Sequence, residues 1–100
     1  MRRIVYADEA RLELLAIAEH SRVQWGDVHA RSFFEGLKAS IGRLAETPEA
    51  GPEIPFIRKG LRRWVHRKLA IFYAVEGDTV RVIAVLDGRQ DAASTLEDRP

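Results

Sequence analysis

Between Arg58 and Lys68 stand six cations, Arg58, Lys59, Arg62, Arg63, Arg67 and Lys68, joined by His66 and with no acidic residue among them. Guanidinium and ammonium groups in such density grip phosphate or carboxylate, the arginines in bidentate fashion. Their mutual repulsion costs stability, so the cluster points to an acidic or phosphate-bearing partner; the plainer alternative is a solvated basic strand edge that discourages aggregation. His66 differs from the other histidines by its company. Like charge from Arg63, Arg67 and Lys68 disfavours its imidazolium, which would leave a neutral base if it lined a cleft, whereas at a strand end it is merely a turn position. His20 and His29 lack metal-ligand spacing and read as helix-end or surface residues.

The carboxylates are less informative. Glu9/Glu13 and Asp87/Asp91 are each four apart, but the first pair falls on a solvated helix face and the second straddles a strand end. There is no Gly-rich phosphate loop, no G-x-S-x-G elbow and no H-E-x-x-H, so neither a metal site nor a cofactor is expected. The absence of cysteine excludes disulfides, thiolate metal sites and a cysteine nucleophile together. Of the two tryptophans, Trp25 is expected to plug a helix junction, and Trp64, inside the basic segment, is the better candidate for a binding surface.

These residues sit on 100 residues, 46% apolar and 31% charged, enough for one packed core and too apolar for a disordered tail. The expectation is one domain over 1–100, with a core of about 2–91 and a polar tail at 92–100. The net charge of +1 hides an asymmetry: residues 1 to 57 hold seven Lys/Arg and nine Asp/Glu, −2, and 58 to 100 hold nine and six, +3. No apolar run approaches the roughly 20 residues that span a bilayer, and Arg2 and Arg3 interrupt any leader core, so a cytoplasmic protein without a membrane partner is expected.

The elements that must position the basic cluster follow from periodicity. Arg2 to Tyr6 reads as a short strand. From Asp8 to about Gln24, Ala10, Leu14, Ile17 and Ser21 form a helical stripe that Leu12 and Leu15 would widen, and Trp25-Gly26 stops it. Asp27 would cap a second helix in which Ala30, Phe33, Phe34, Leu37, Ile41, Leu44 and Ala45 keep a three/four spacing, with Gly36 and Gly42 explained by close packing on the first helix. Thr47-Pro48 ends it, and a stiff loop with three prolines leads to Leu61. There the period becomes 2. A strand over Leu61–His66 turns at Arg67-Lys68 into a hairpin whose loop is Gly77-Asp78, with Val75 opposite Val80, Tyr73 opposite Val82, Ile71 opposite Ala84 and Leu69 opposite Leu86. Its other face, Ala70, Phe72, Ala74, Arg81, Ile83 and Val85, is greasier than solvent favours and would be covered in part by a partner. Little regular structure is expected beyond Gly88. The reading is α+β: an N-terminal strand, an antiparallel helical hairpin, and a C-terminal three-stranded antiparallel sheet.

Ala10-x-x-x-Leu14-x-x-Ile17, Trp25-Gly26, Ala30 to Leu44-Ala45-x-x-Pro48-x-x-Gly51, Leu61-Arg62-Arg63, Ile71-Phe72-Tyr73 and Val82-Ile83-x-Val85-x-x-Gly88-Arg89-x-Asp91 occur in an order that resembles the ParE branch of the ParE/RelE toxins of bacterial type II toxin–antitoxin systems. The resemblance runs over about residues 3 to 91 and implies the same fold. It also implies a cognate antitoxin whose acidic, amphipathic C-terminal segment wraps the toxin in a hetero-oligomer. ParE members of this family poison DNA gyrase, whereas RelE members cut messenger RNA in the ribosomal A site.

RNA cleavage by 2′-hydroxyl attack needs groups that take and give a proton as well as cations that hold the phosphate. Where the RelE-like pattern has His-Gly-Arg-Arg-Asp, this chain has Asp87-Gly88-Arg89-Gln90-Asp91, and arginine is a poor proton shuttle. The resemblance therefore favours a noncatalytic gyrase poison, with Arg58, Arg62, Arg63, Arg67 and Arg89 toward the target. Leu12, Leu15, Trp64, Phe72, Arg81 and Ile83 would face the antitoxin. The alternatives are a ribonuclease using Arg63, His66 and Arg89, or a basic nucleic-acid-binding module.

Overall fold

A computed structural model describes residues 2–88, 90–97 and 99. Strand β1 (Arg3–Tyr6) leads into helix α1 (Asp8–Trp25), which a single residue separates from helix α2 (Asp27–Glu46). That residue, Gly26, has φ +84, a conformation side-chain-bearing residues rarely adopt, and its N–H closes α1 onto the Arg22 carbonyl. Asp27 is therefore the first residue of α2 and not its cap, since Gly26 already holds that position. A 3-10 turn (Pro48–Ala50) follows, then strands β2 (Leu61–His66), β3 (Leu69–Glu76) and β4 (Thr79–Asp87), and a short helix α3 (Ala92–Leu96).

The strands form one sheet in the order β1-β4-β3-β2, antiparallel except that β1 lies parallel to β4. On one face, Ala10, Leu37 and Ile41 of the helices pack against Leu69, Ile71, Val82 and Val85, and Leu44 packs with Tyr73 and Val80. The stripe Ala10, Leu14, Ile17, Ser21 points inward as the spacing predicts. Leu12 and Leu15 do not widen it. At about 100° per residue they fall opposite the stripe, and they are 66% and 61% exposed. Gly42 has open space beside it, and Gly36 faces His66, so neither glycine is explained by contact with α1.

The β3–β4 hairpin keeps Val75 opposite Val80 and Tyr73 opposite Val82, then departs from the expected register. Ile83 is an extra residue: Phe72 pairs with Ala84, Ile71 with Val85, Ala70 with Leu86 and Leu69 with Asp87. This β-bulge turns Val85 toward the helices and puts Ala84 and Leu86 on the outer face. Every residue from Val82 to Leu86 is apolar, so alternation carries no signal that parity flips.

The greasy outer face needs no partner to cover it. Ile54 and Ile57 of the loop and Leu96 of α3 pack against Ala70, Phe72, Ile83, Ala84 and Leu86, leaving Phe72 and Ile83 at 1% and 5% exposure. The segment expected to be irregular thus supplies a core residue. Asp91 caps its helix, the carboxylate accepting the Ser94 N–H at 3.2 Å.

Candidate functional site: a basic outer face and an apolar helix line

The loop that delivers β2 is fixed by buried polar contacts. The Tyr73 hydroxyl donates to the Pro48 carbonyl at 2.6 Å and accepts the Gly51 N–H at 2.9 Å. A Cβ at residue 51 would lie 2.6 Å from the Arg63 carbonyl oxygen and 2.8 Å from the Tyr73 hydroxyl, which is why glycine stands there. Arg62 reaches back over the same loop, donating through Nη1 to the Gly51 carbonyl at 2.7 Å and the Glu49 carbonyl at 3.3 Å, and pairing with Glu53 at 3.3 Å. Arg62 is thus a brace of the fold.

Alternation along β2 divides the cluster. Arg62, Trp64 and His66 turn to the helix side, half-buried, while Arg63 and Val65 are exposed on the outer side. The Trp64 indole N–H donates to the Ser40 hydroxyl at 2.8 Å, and its ring packs against the core. His66 lies against Phe33 of α2, ring centroids 6.1 Å apart, with its Nε2 buried and without a hydrogen-bond partner. Burial lowers its pKa below 6.5, and the positive charges of Arg67 and Arg43 add to this. The shift runs in the direction that the neighbouring cations suggest from the sequence, but desolvation is its first cause.

The other cations lie apart from these. Arg63, Arg67 and Lys68 line a hollow of about 420 Å³ on the outer face, floored by Leu69 and Ala70. Among the described residues these three make no ion pair or side-chain hydrogen bond. Arg67 has φ +56 and is the one non-glycine residue with positive φ among those described. Arg58 is half-buried, its Nη1 enclosed without a partner, so that nitrogen is not offered to solvent. Arg89 lies outside the described residues.

The trio Arg63, His66 and Arg89 is therefore not seen as one constellation: Arg63 and His66 occupy opposite faces of β2. Nor do Leu12, Leu15, Trp64, Phe72, Arg81 and Ile83 share a surface. The two leucines lie on the outward line of α1, continued by Val23 at 71% exposure, and Trp64 sits between β2 and α2. Phe72 and Ile83 are covered by the chain itself, and Arg81 is half-buried beside them on β4. Trp25 does not plug the helix junction; more than half exposed, it meets Phe33 edge-on at 6.1 Å.

One arrangement escapes sequence reasoning. Beyond Tyr6, β1 no longer covers the edge of β4, and side chains take over. Glu13 accepts the Val85 N–H at 2.9 Å, Arg99 donates to the Ile83 carbonyl at 3.1 Å, and Gln90 accepts the Asp87 N–H at 2.9 Å. Glu13 and Arg99 are also joined to each other at 2.5 and 3.1 Å, with 20% and 15% of their side chains exposed. Glu13 is thus no solvated carboxylate. It lies roughly 70° from the centre of the buried stripe, a flank position that the spacing alone would have revealed.

No group of three or more His, Cys, Asp or Glu able to hold a metal ion occurs among the described residues, and no helix among them is long and apolar enough to cross a membrane. The family described as "ParE toxin of type II toxin-antitoxin system, parDE" matches residues 4–92. Toxin ParE1 of Caulobacter vibrioides is 32% identical over 87 residues, covering 87% of this chain and 90% of that protein. A solved chain of the chromosomal ParDE TA system from P. aeruginosa superimposes with a TM-score of 0.75 at 19% identity, over 87% of this chain and 96% of that one, and shares its fold. With a mixed sheet backed by two helices and a family match over nearly the whole length, the chain belongs to the ParE toxins of type II toxin–antitoxin systems.

Proposed function

We propose that this toxin acts by binding DNA gyrase through the basic outer face of its sheet, without cleaving RNA, and is neutralised by a cognate antitoxin seated partly along α1. One observation carries the noncatalytic reading. The free cations Arg63, Arg67 and Lys68 share their surface with no imidazole or phenol: His66 is turned to the helix side, and Tyr73 is engaged beneath it. Among the described residues a single carboxylate, Asp87, lines the hollow. Strand cleavage is served best by an imidazole or phenol that can exchange a proton near neutrality, and the hollow holds neither, leaving Lys68 as its one cation able to give a proton.

The antitoxin surface is supported by the exposed line Leu12, Leu15 and Val23, on the side of α1 opposite the core. Such a second apolar face suits an amphipathic helix, and an acidic segment of the same partner would meet the exposed cations of the sheet.

The test combines expression with a purified assay. Induction is expected to cause filamentation and a DNA-damage response, and the purified chain to inhibit gyrase supercoiling. Unchanged supercoiling over a wide concentration range would remove the mechanism, and rapid translational arrest with cut messages would identify a ribonuclease instead.

A further inference from the structure

The hollow holding the free cations continues into a second of about 200 Å³, the two sharing Arg63, Ala70, Asp87 and Gly88. At the far end stands Phe56, 84% exposed on the loop before β2. The result is an open channel across the outer face, with an aromatic ring at one end and, toward the other, three cations that make no ion pair among the described residues.

Arg67 makes the case specific. Its φ of +56 would suit glycine or asparagine, and any longer side chain there is strained. The chain holds a guanidinium at that point, adjacent to Lys68 and bordering the hollow that Arg63 also lines, where among the described residues one carboxylate, Asp87, stands against three cations that make no ion pair. Strain together with like-charge repulsion marks a site shaped for a ligand.

We propose that this channel takes the phosphodiester backbone of a single nucleic-acid strand, with Arg63, Arg67 and Lys68 on the phosphates and Phe56 beneath a base. The inference rests on reading this face as the target surface and names what it holds: a strand of the DNA in the gyrase complex. Cations along a channel that ends in an exposed aromatic ring are how proteins bind single strands without reading sequence. An acidic peptide would use the cations but has no need of the ring.

The test is fluorescence anisotropy of the full chain with labelled single-stranded DNA of about 12 nucleotides, beside the matching RNA and a polyglutamate peptide. Binding to DNA is expected, with log affinity falling against log salt at a slope of about −2, the value for three phosphate contacts on a single strand. R63A/R67G/K68A should flatten that slope and weaken binding at least about tenfold. F56A should weaken it at least about fivefold, the lower bound for one stacked base. R67G alone separates ligand binding from a structural role: relieving the left-handed strain should raise Tm while lowering affinity. The matching RNA should bind no tighter than the DNA; a clear preference for RNA overturns the assignment to DNA.

Oligonucleotide affinity unchanged in the folded triple variant overturns the inference, as does oligonucleotide binding no tighter than that of polyglutamate of equal charge. Gyrase inhibition without strand binding would discard the channel and keep the gyrase reading. Strand binding without gyrase inhibition would do the reverse.

Discussion

Removing the Glu13 carboxylate tests whether side chains really finish the edge of β4. Glu13→Ala strands the Val85 N–H and leaves the Arg99 guanidinium without its partner while it still contacts the Ile83 carbonyl. Breaking a fully buried ion pair costs about 3–5 kcal/mol, and an exposed one is worth about 0–1 kcal/mol. With roughly four-fifths of both side chains covered, and a backbone donor also orphaned at about 1–3 kcal/mol, we expect a loss of about 2–3 kcal/mol. For a chain of this length that lowers Tm by roughly 10–20 °C. Glu13→Gln keeps an acceptor for Val85 and should lose about half as much. Glu35→Ala, exposed on α2, should stay within about 0.5 kcal/mol of the parent. Urea unfolding of Glu13→Ala, Arg99→Ala and the double variant would close a cycle, in which the pair should couple by about 1–2 kcal/mol. A Glu13→Ala cost below about 0.5 kcal/mol, or coupling near zero, would show that the clamp contributes nothing and that the edge is satisfied by water.

His66 is less readily protonated in the folded chain than in the unfolded one, so the unfolded state binds more protons as pH falls through 6.5; stability should decline from there toward pH 5, and His66→Gln should flatten that part of the urea-midpoint profile. Tyr73→Phe removes the hydroxyl joining Pro48 to Gly51 and should cost about 1–3 kcal/mol in chemical denaturation. Arg62→Ala is expected to lower Tm because it unbraces the loop, whereas Arg63→Ala should leave Tm unchanged and diminish toxicity; equal effects on Tm would refute the division of β2 into a structural and a functional face. Leu12→Glu with Leu15→Glu should keep stability within about 0.5 kcal/mol per site and weaken antitoxin binding measured by calorimetry, and unaltered affinity would move the antitoxin off this line.

The elements themselves were written into the chain. Helices with apolar residues every three or four positions, strands with period 2, and breakers at Gly26, Pro48 and Gly77 are local signals, and the structure places β1 to β4, α1 and α2 within a residue or two of where they fall; the 3-10 turn and α3 were not anticipated. The basic cluster was equally legible as composition. Its meaning was not, because Arg62 and Arg63 are adjacent in sequence and alike in chemistry, and only the side of β2 that each faces makes one a brace and the other a free cation.

Three features belong to the tertiary structure alone. The bulge at Ile83 could not be read from a run in which both parities are apolar. The cover on the outer face comes from Leu96, which a polar tail conceals until it is folded back. The clamp on β4 joins Glu13 to Arg99 across 86 positions, a pairing that exists only once β1 ends short and leaves backbone groups in need of partners. Local periodicity decides which segments curl or extend; which face is covered, and which charge is left unanswered, depends on what the rest of the chain brings alongside.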